Sequence, residues 1–181
     1  MRPLILLCLS LFSSLAFAGL DPHLSRFAPY LDKTWRGEFA NSTPERPMVD
    51  VSRWESALQG KAIRIRHSLN QGEYEGETLI IWNAELSQLE FFYFTTGGFY
   101  TRGVAQFDVD GFVATEQVTG SDEGITEVRA RVTLNQDGSM SQSSRYLKQG
   151  KWVDGHCVTY YPVEGGGAET KKTGLAGLFF G

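Results

Sequence analysis

Two neighbouring segments contain most of the side chains that are able to bind or transform a small molecule. Arg64, Arg66 and His67 lie in the first segment, and Glu75 and Glu77 lie in the second. An arginine guanidinium holds a carboxylate through two parallel hydrogen bonds. A histidine close to a glutamate is able to move a proton. A glycine-containing turn joins the segments, so this hairpin is where we expect a carboxylate clamp or an acid–base pair.

The arginines have a second interpretation. Within predicted strands they alternate with apolar residues, as Arg129 and Arg131 do with Val128, Ala130 and Val132. Such an alternation is typical of a solvated outer face whose charges pair with neighbouring acids. The sequence leaves both interpretations open, since it does not say which face of a strand points inward.

An aromatic segment supplies the remaining candidates. Leu89 to Thr95 carries aromatic residues on both faces, and Gly97-Gly98 turns the chain into a return strand. One face is expected to line a cavity, and a densely aromatic core is the alternative. The residues expected to bind a ligand are Arg64, Arg66, His67, Glu75, Glu77, Phe91, Tyr93, Tyr100 and Arg102.

The sequence contains no motif that assigns a catalytic residue. The chain has no His-x-His or Cys-x-x-Cys spacing, no Gly-x-Ser-x-Gly elbow and no phosphate loop. We therefore predict no metal site and no cofactor. The one cofactor alternative is haem, with His156 or His67 as the axial ligand, against a histidine on a strand surface.

Charge excludes one class of partner. The chain has 17 lysines and arginines against 21 aspartates and glutamates, with no basic cluster. A nucleic-acid binder needs a basic face to neutralise phosphates. We therefore expect no nucleic-acid partner.

Residues 1–18 have the pattern of a cleaved export signal. Arg2 precedes an apolar run, and Ala16-Phe17-Ala18 is a small-x-small cleavage site. We predict a mature chain that begins at Gly19 and is periplasmic in a Gram-negative source. Its single cysteine, Cys157, is unable to form an internal disulfide.

The secondary-structure elements that should position the candidate residues are β-strands. Ten predicted strands follow one another, from Thr34 to Tyr161, at the spacing of sequential hairpins. This pattern predicts an all-β, antiparallel up-and-down barrel in residues 19–163. A short helix should precede it, with Asp21 as N-cap and a buried stripe of Leu24, Phe27 and Leu31.

Residues 164–181 differ in composition from the barrel. Gly165-Gly166-Gly167 is typical of a flexible linker, and Leu175 to Phe180 forms an apolar end. We expect this end to dock on the barrel, the alternative being contact with a partner or a membrane surface.

The segment Leu31 to Phe39, with Trp35 and Gly37 after a short helix, resembles the opening strand of lipocalin-like, calycin-type barrels. The segments Tyr74 to Trp82, Phe91 to Tyr100 and Gly124 to Arg129 are similar to a family of small exported bacterial barrel proteins. Nitrobindin-like haem barrels are related, and Trp35-x-Gly37 matches part of their glycine-rich entry motif. This superfamily contains transporters, haem proteins and enzymes.

Together these features predict an exported barrel protein that binds a small apolar or amphipathic ligand. Two alternatives remain. One is a small barrel enzyme of the acid–base lyase or isomerase type, and the other is a structural or partner-binding module with a filled core.

Overall fold

Each strand of this protein pairs with the next in sequence, and the last strand returns to pair with the first. The computed structural model describes residues 19–163, which form a closed antiparallel barrel of ten strands. The predicted fold class is thereby confirmed. The predicted export signal and the C-terminal tail lie outside the described residues.

The ten strands begin at Lys33 and end at Val163, within two residues of the predicted Thr34 and Tyr161. The strands are β1 (Lys33–Phe39), β2 (Val49–Ala57), β3 (Ala62–Leu69), β4 (Tyr74–Asn83), β5 (Gln88–Thr95), β6 (Tyr100–Phe107), β7 (Gly111–Thr119), β8 (Ile125–Leu134), β9 (Met140–Lys148) and β10 (Lys151–Val163). The strand ends were predictable because residues that favour tight turns lie between the strands. Gly138 and Gly150, for example, have φ angles of 82° and 75°, which glycine adopts without steric cost.

A 3-10 helix (Pro22–Tyr30) closes one end of the barrel. Asp21 caps it, and its buried residues are Leu24, Phe27 and Tyr30. The predicted stripe ended at Leu31, which packs against the core only partly buried and follows the helix as its C-cap. Tyr30 takes the third buried position, because a 3-10 helix repeats every three residues rather than every 3.6. The Phe27 ring packs against Phe107 at a centroid distance of 4.8 Å. This end of the barrel is therefore filled.

The remaining core continues from the helix into the adjacent half of the barrel. Trp35 is fully buried, and its indole nitrogen donates a hydrogen bond to the Tyr30 carbonyl at 3.0 Å. Trp54 stacks on Tyr30 at a centroid distance of 5.3 Å. Phe112 packs edge-on against the same tyrosine. In the described part of the chain, no helix has the length and apolar content needed to cross a membrane.

Candidate ligand-binding site

A cavity of about 980 Å³ occupies the barrel interior and reaches the end opposite the helix. Asn41, Gly97 and Ser121, from three loops at that end, line its mouth. The half nearer the helix is apolar, with Trp54, Ile65, Ile80, Phe91, Ala105, Phe112, Ala114, Val132 and Met140 in its wall. The half nearer the mouth contains the polar side chains described below. The two halves together suit a molecule with one apolar and one polar end.

A chain of hydrogen bonds crosses four strands in the open half. Asp50 Oδ1 lies 2.9 Å from His67 Nδ1. His67 Nε2 lies 2.8 Å from the Tyr93 hydroxyl, which lies 3.0 Å from the Tyr74 hydroxyl. A carboxylate only accepts, so we assign the proton to Nδ1; Tyr93 then donates to His67, and Tyr74 donates to Tyr93. We call these four residues the Asp–His–Tyr chain.

Asp50 is also held by a residue two strands away, beyond β1. The Tyr160 hydroxyl, on β10, donates to Asp50 Oδ2 at 2.9 Å. Asp50 is only 2% exposed, and each of its oxygens has a hydrogen-bond partner. Burial raises the pKa of Tyr160 well above its ordinary value, and the Asp50 charge adds to the effect. Burial, and secondly the hydrogen bond with Tyr74, raise the pKa of Tyr93.

One glycine makes this chain sterically feasible. Gly76, on β4, lies opposite His67 in the strand register. A Cβ there would lie 2.3 Å from the Tyr93 ring and 2.6 Å from His67 Nε2. The absence of a side chain therefore leaves the space in which His67 and Tyr93 meet.

A β-bulge in β10 turns His156 into the cavity. The register shifts between Asp154 and Cys157, so Gly155 and His156 together oppose Ser144. If the strand alternated regularly from Asp154 onwards, His156 would lie on the outer face with Asp154, because residues two apart share a face. A glycine within a strand is a known sign of a bulge, and this signal was present in the sequence.

The bulge also fixes the orientation of the imidazole. His156 Nδ1 lies 2.5 Å from the Tyr146 hydroxyl and 3.2 Å from Ser144 Oγ. Burial lowers the pKa of His156, so the ring is neutral at pH 7. Burial raises the pKa of Tyr146, so its phenol also stays neutral.

Glu116 is a carboxyl group on the inner face of β7. It follows Phe112 and Ala114 on that face, and Val118 comes next. The Thr101 hydroxyl donates to Glu116 Oε2 and is its one hydrogen-bond partner in the described part of the chain. Burial raises the pKa of Glu116 to about 7. Glu116 is not among the predicted site residues, although a single charged residue in a row of alternate apolar residues on one strand face indicates such a position.

The predicted ligand-binding residues are divided between the two faces of the sheet. His67, Phe91 and Tyr93 line the cavity. Those that do not line it are Arg64, Arg66, Glu75, Glu77, Tyr100 and Arg102. The strand pleat separates them, because consecutive residues such as Arg66 and His67 point to opposite faces.

The outer-face arginines form ion pairs with acids on neighbouring strands. Arg66 pairs with Glu55 at 3.1 Å, and Arg64 Nε lies 3.2 Å from Glu77. Arg102 donates twice to Glu90, at 2.9 and 2.5 Å. These arginines therefore lie on the solvated outer face, one of the two arrangements that the sequence allowed, and no arginine in residues 19–163 lines the cavity as a carboxylate clamp.

The ionisable side chains of the cavity wall are acidic. Among residues 19–163, no lysine or arginine lines the cavity; its carboxyl groups are Asp50 and Glu116 inside and the exposed Asp122, Glu123 and Asp154 at the mouth. Glu123 and Asp154 have ion-pair partners, Lys148 and Arg145, that do not line the cavity. The wall therefore favours neutral or positively charged ligands over anions.

Metal and haem fit this site poorly. Within residues 19–163, no group of three or more His, Cys, Asp or Glu side chains is arranged to hold a metal ion. His67 has both ring nitrogens hydrogen-bonded and offers no free ligand atom. His156 has a suitable orientation, with Nδ1 held by its neighbours. The wall, however, offers no cation to the propionates of a haem, so the residues present do not fit that cofactor.

Comparisons with known proteins support the architecture. No protein-family model matches the chain, and no curated protein matches it. Among solved structures, the chain is similar to the crystal structure of Rv2717c from M. tuberculosis, with a TM-score of 0.60 and 13% sequence identity. The match covers 80% of this chain and 99% of that chain. At this identity the similarity shows the fold alone, so the chain is a closed ten-stranded barrel with Rv2717c as a structural neighbour.

Proposed function

We propose that this protein is an exported barrel protein that binds a small amphipathic molecule in its central cavity. The main observation in support of this proposal is the cavity, which is apolar towards the helix, polar towards the mouth and open at one end. Export is inferred from the leader pattern of residues 1–18. The lipocalin-like resemblance agrees with this role and stays a prediction.

The energetics favour a ligand that enters with its apolar end first. Each 100 Å² of apolar ligand surface removed from water contributes about 2.5 kcal/mol. Polar atoms of the ligand would meet hydroxyl and carboxyl groups near the mouth, among them Tyr74, Glu116 and Tyr146. Hydrogen bonds there would offset the desolvation of the polar end.

The direct test is titration with N-phenyl-1-naphthylamine, a neutral fluorophore whose emission rises in apolar surroundings. We expect saturable binding to the mature protein. Ala114→Phe, which adds a ring to the apolar half of the cavity, should abolish the signal. Gln117→Phe, on the outer face of the same strand, is the matched control and should bind like the wild type.

Folding of both variants is checked by circular dichroism. Equal fluorescence from wild type and folded Ala114→Phe would contradict the proposal. Native mass spectrometry of protein purified from its own host then identifies any bound molecule.

Acid–base catalysis is the second candidate, and the Asp–His–Tyr chain is the observation that favours it. Asp50 orients His67, whose Nε2 is able to take the Tyr93 proton while Tyr74 re-protonates Tyr93. The chain thereby connects a buried carboxylate to a phenol at the cavity wall. If a co-purified ligand is converted on incubation, His67→Gln should stop conversion and retain binding. Conversion at an unchanged rate would exclude the chain from catalysis.

A further inference from the structure

We infer that the cavity selects organic cations and that Glu116 binds their ammonium group. This inference rests on the proposed function, because it names the chemical class of the molecule that the cavity holds. The expected ligand is an amine with an alkyl or aryl body. The body would occupy the apolar half, and the nitrogen would lie at Glu116.

The charged groups inside the cavity are acidic. Among the described residues, no lysine or arginine lines the cavity, and two carboxyl groups, Asp50 and Glu116, lie inside it. Asp50 is unavailable to a ligand, because His67 and Tyr160 bind its two oxygens. Glu116 is different, since the Thr101 hydroxyl binds one oxygen and no residue in 19–163 donates to the other.

The negative charge of an ionised Glu116 is poorly compensated by its neighbours. A carboxylate in apolar surroundings is destabilised unless a cation or hydrogen-bond donors compensate for lost water. Its neighbours on the inner face of β7, Ala114 and Val118, provide neither. A ligand ammonium group would provide both a positive charge and donors.

Aromatic rings lie close to the Glu116 carboxyl group. Phe91 and Glu116 both flank Gly103, with Phe91 Cζ at 2.6 Å and Glu116 Cβ at 2.8 Å from the position of an added Cβ. Tyr93 and Phe99 line the same cavity. Aromatic faces attract cations, and the attraction is stronger where water is excluded.

A pH dependence follows from the position of Glu116. Ammonium binding favours the ionised carboxylate, so affinity should rise with pH until it levels off above about pH 7. Across the cavity, Glu116 is coupled to the phenols of Tyr93 and Tyr146, which stay neutral in this range. Behind them lie His67 with Asp50, and His156, whose pKa burial lowers.

The experiment compares three ligands that share an eight-carbon chain: octylamine, octan-1-ol and octanoate. Isothermal titration calorimetry at pH 8.0 should give the highest affinity for octylamine and the lowest for octanoate. Lowering the pH to 5.5 should weaken octylamine binding by about tenfold, because the carboxylate must first lose a proton. Octan-1-ol should show no such change.

Variants assign the effect to one carboxyl group. Glu116→Gln should weaken octylamine binding about 10- to 100-fold at pH 8.0, the range of a charge-assisted hydrogen bond, and remove its pH dependence. Octan-1-ol should bind this variant like the wild type. Glu127→Gln, an outer-face carboxylate that accepts from Arg129, is the matched control and should change nothing. His67→Gln should keep the pH dependence.

The outcomes separate this inference from the proposed function. Equal affinities for the three ligands, or a preference for octanoate, would overturn cation selection and leave ligand binding intact. A Glu116→Gln protein that keeps the pH dependence would also overturn it. Binding of none of the three, together with no fluorophore binding, would contradict both proposals.

Discussion

The two halves of the barrel interior differ in how their space is used. The half at the helix is filled by aromatic rings, with Phe27, Tyr30, Trp54 and Phe112 in mutual contact. The other half holds the cavity, whose apolar wall begins at these rings and whose hydrogen-bonded polar groups lie near the mouth. Apolar burial in the first half stabilises the fold, and this allows the second half to keep a void and buried polar groups that lower stability.

The largest loss of stability is expected when an aromatic ring is removed from the filled half. Phe27→Ala should lower the free energy of unfolding by about 3–5 kcal/mol, because Phe27 is fully buried. Phe99→Ala makes the same chemical change at the cavity mouth and should cost less than about 1 kcal/mol. Urea denaturation measures both values. Equal losses would show that the two halves do not differ in this way.

A smaller effect is expected from filling the space beside the Asp–His–Tyr chain. Gly76→Ala places a methyl group against Tyr93 and His67 and should cost about 2–3 kcal/mol. It should also remove the downfield proton resonance expected of the hydrogen-bonded His67 Nδ1. Glu75→Ala, the outer-face neighbour, is the control. A variant that keeps both the resonance and the stability would contradict the assigned packing.

Glu116, in the cavity wall, should make the stability of the protein depend on pH. The pKa of this carboxyl rises from 4.5 to about 7 on folding, so the folded state holds its proton more tightly. The contribution of Glu116 to the free energy of unfolding is fully present below about pH 4.5 and is lost as the pH rises through 7. Wild type should lose about 2 kcal/mol more than Glu116→Gln between pH 5 and 8. Parallel pH profiles of the two proteins would contradict the raised pKa.

The smallest expected effect is the loss of one hydroxyl group at the boundary between the halves. Tyr160→Phe leaves Asp50 Oδ2 without its donor and should cost about 1.5 kcal/mol. Tyr161→Phe, on the exposed outer face, should cost nothing measurable. Thermal unfolding at pH 7 compares them. A stability equal to wild type for Tyr160→Phe would mean that water replaces the phenol.

Much of the fold was predictable because its signals are local. Strand lengths follow from alternation, and turn positions follow from glycine and its neighbours, so ten strands were predicted close to their observed bounds. The helix was predicted with its cap but with the wrong repeat, since Pro29 and the short length favour a 3-10 geometry that the apolar spacing did not reveal.

The candidate site was predictable only in part. Of the residues predicted to bind a ligand, His67, Phe91 and Tyr93 lie in the cavity wall, whereas Arg66 and Glu75 do not line it. The alternation of a strand defines two sets of side chains and does not say which set faces inward. Glu116 was overlooked for a related reason, since a charged residue in a strand is usually solvated.

The sequence by itself determined the order of strands, the positions of the turns and the composition of each strand face. Tertiary structure decided which faces enclose the cavity, because only closure of β1 onto β10 gives the sheet an inside. It also decided the direction of His156, since one extra residue in β10 reverses the alternation there. The polar groups of the site come from strands far apart in sequence, as Asp50 and Tyr160 show. Their meeting depends on the closed barrel and on no local pattern.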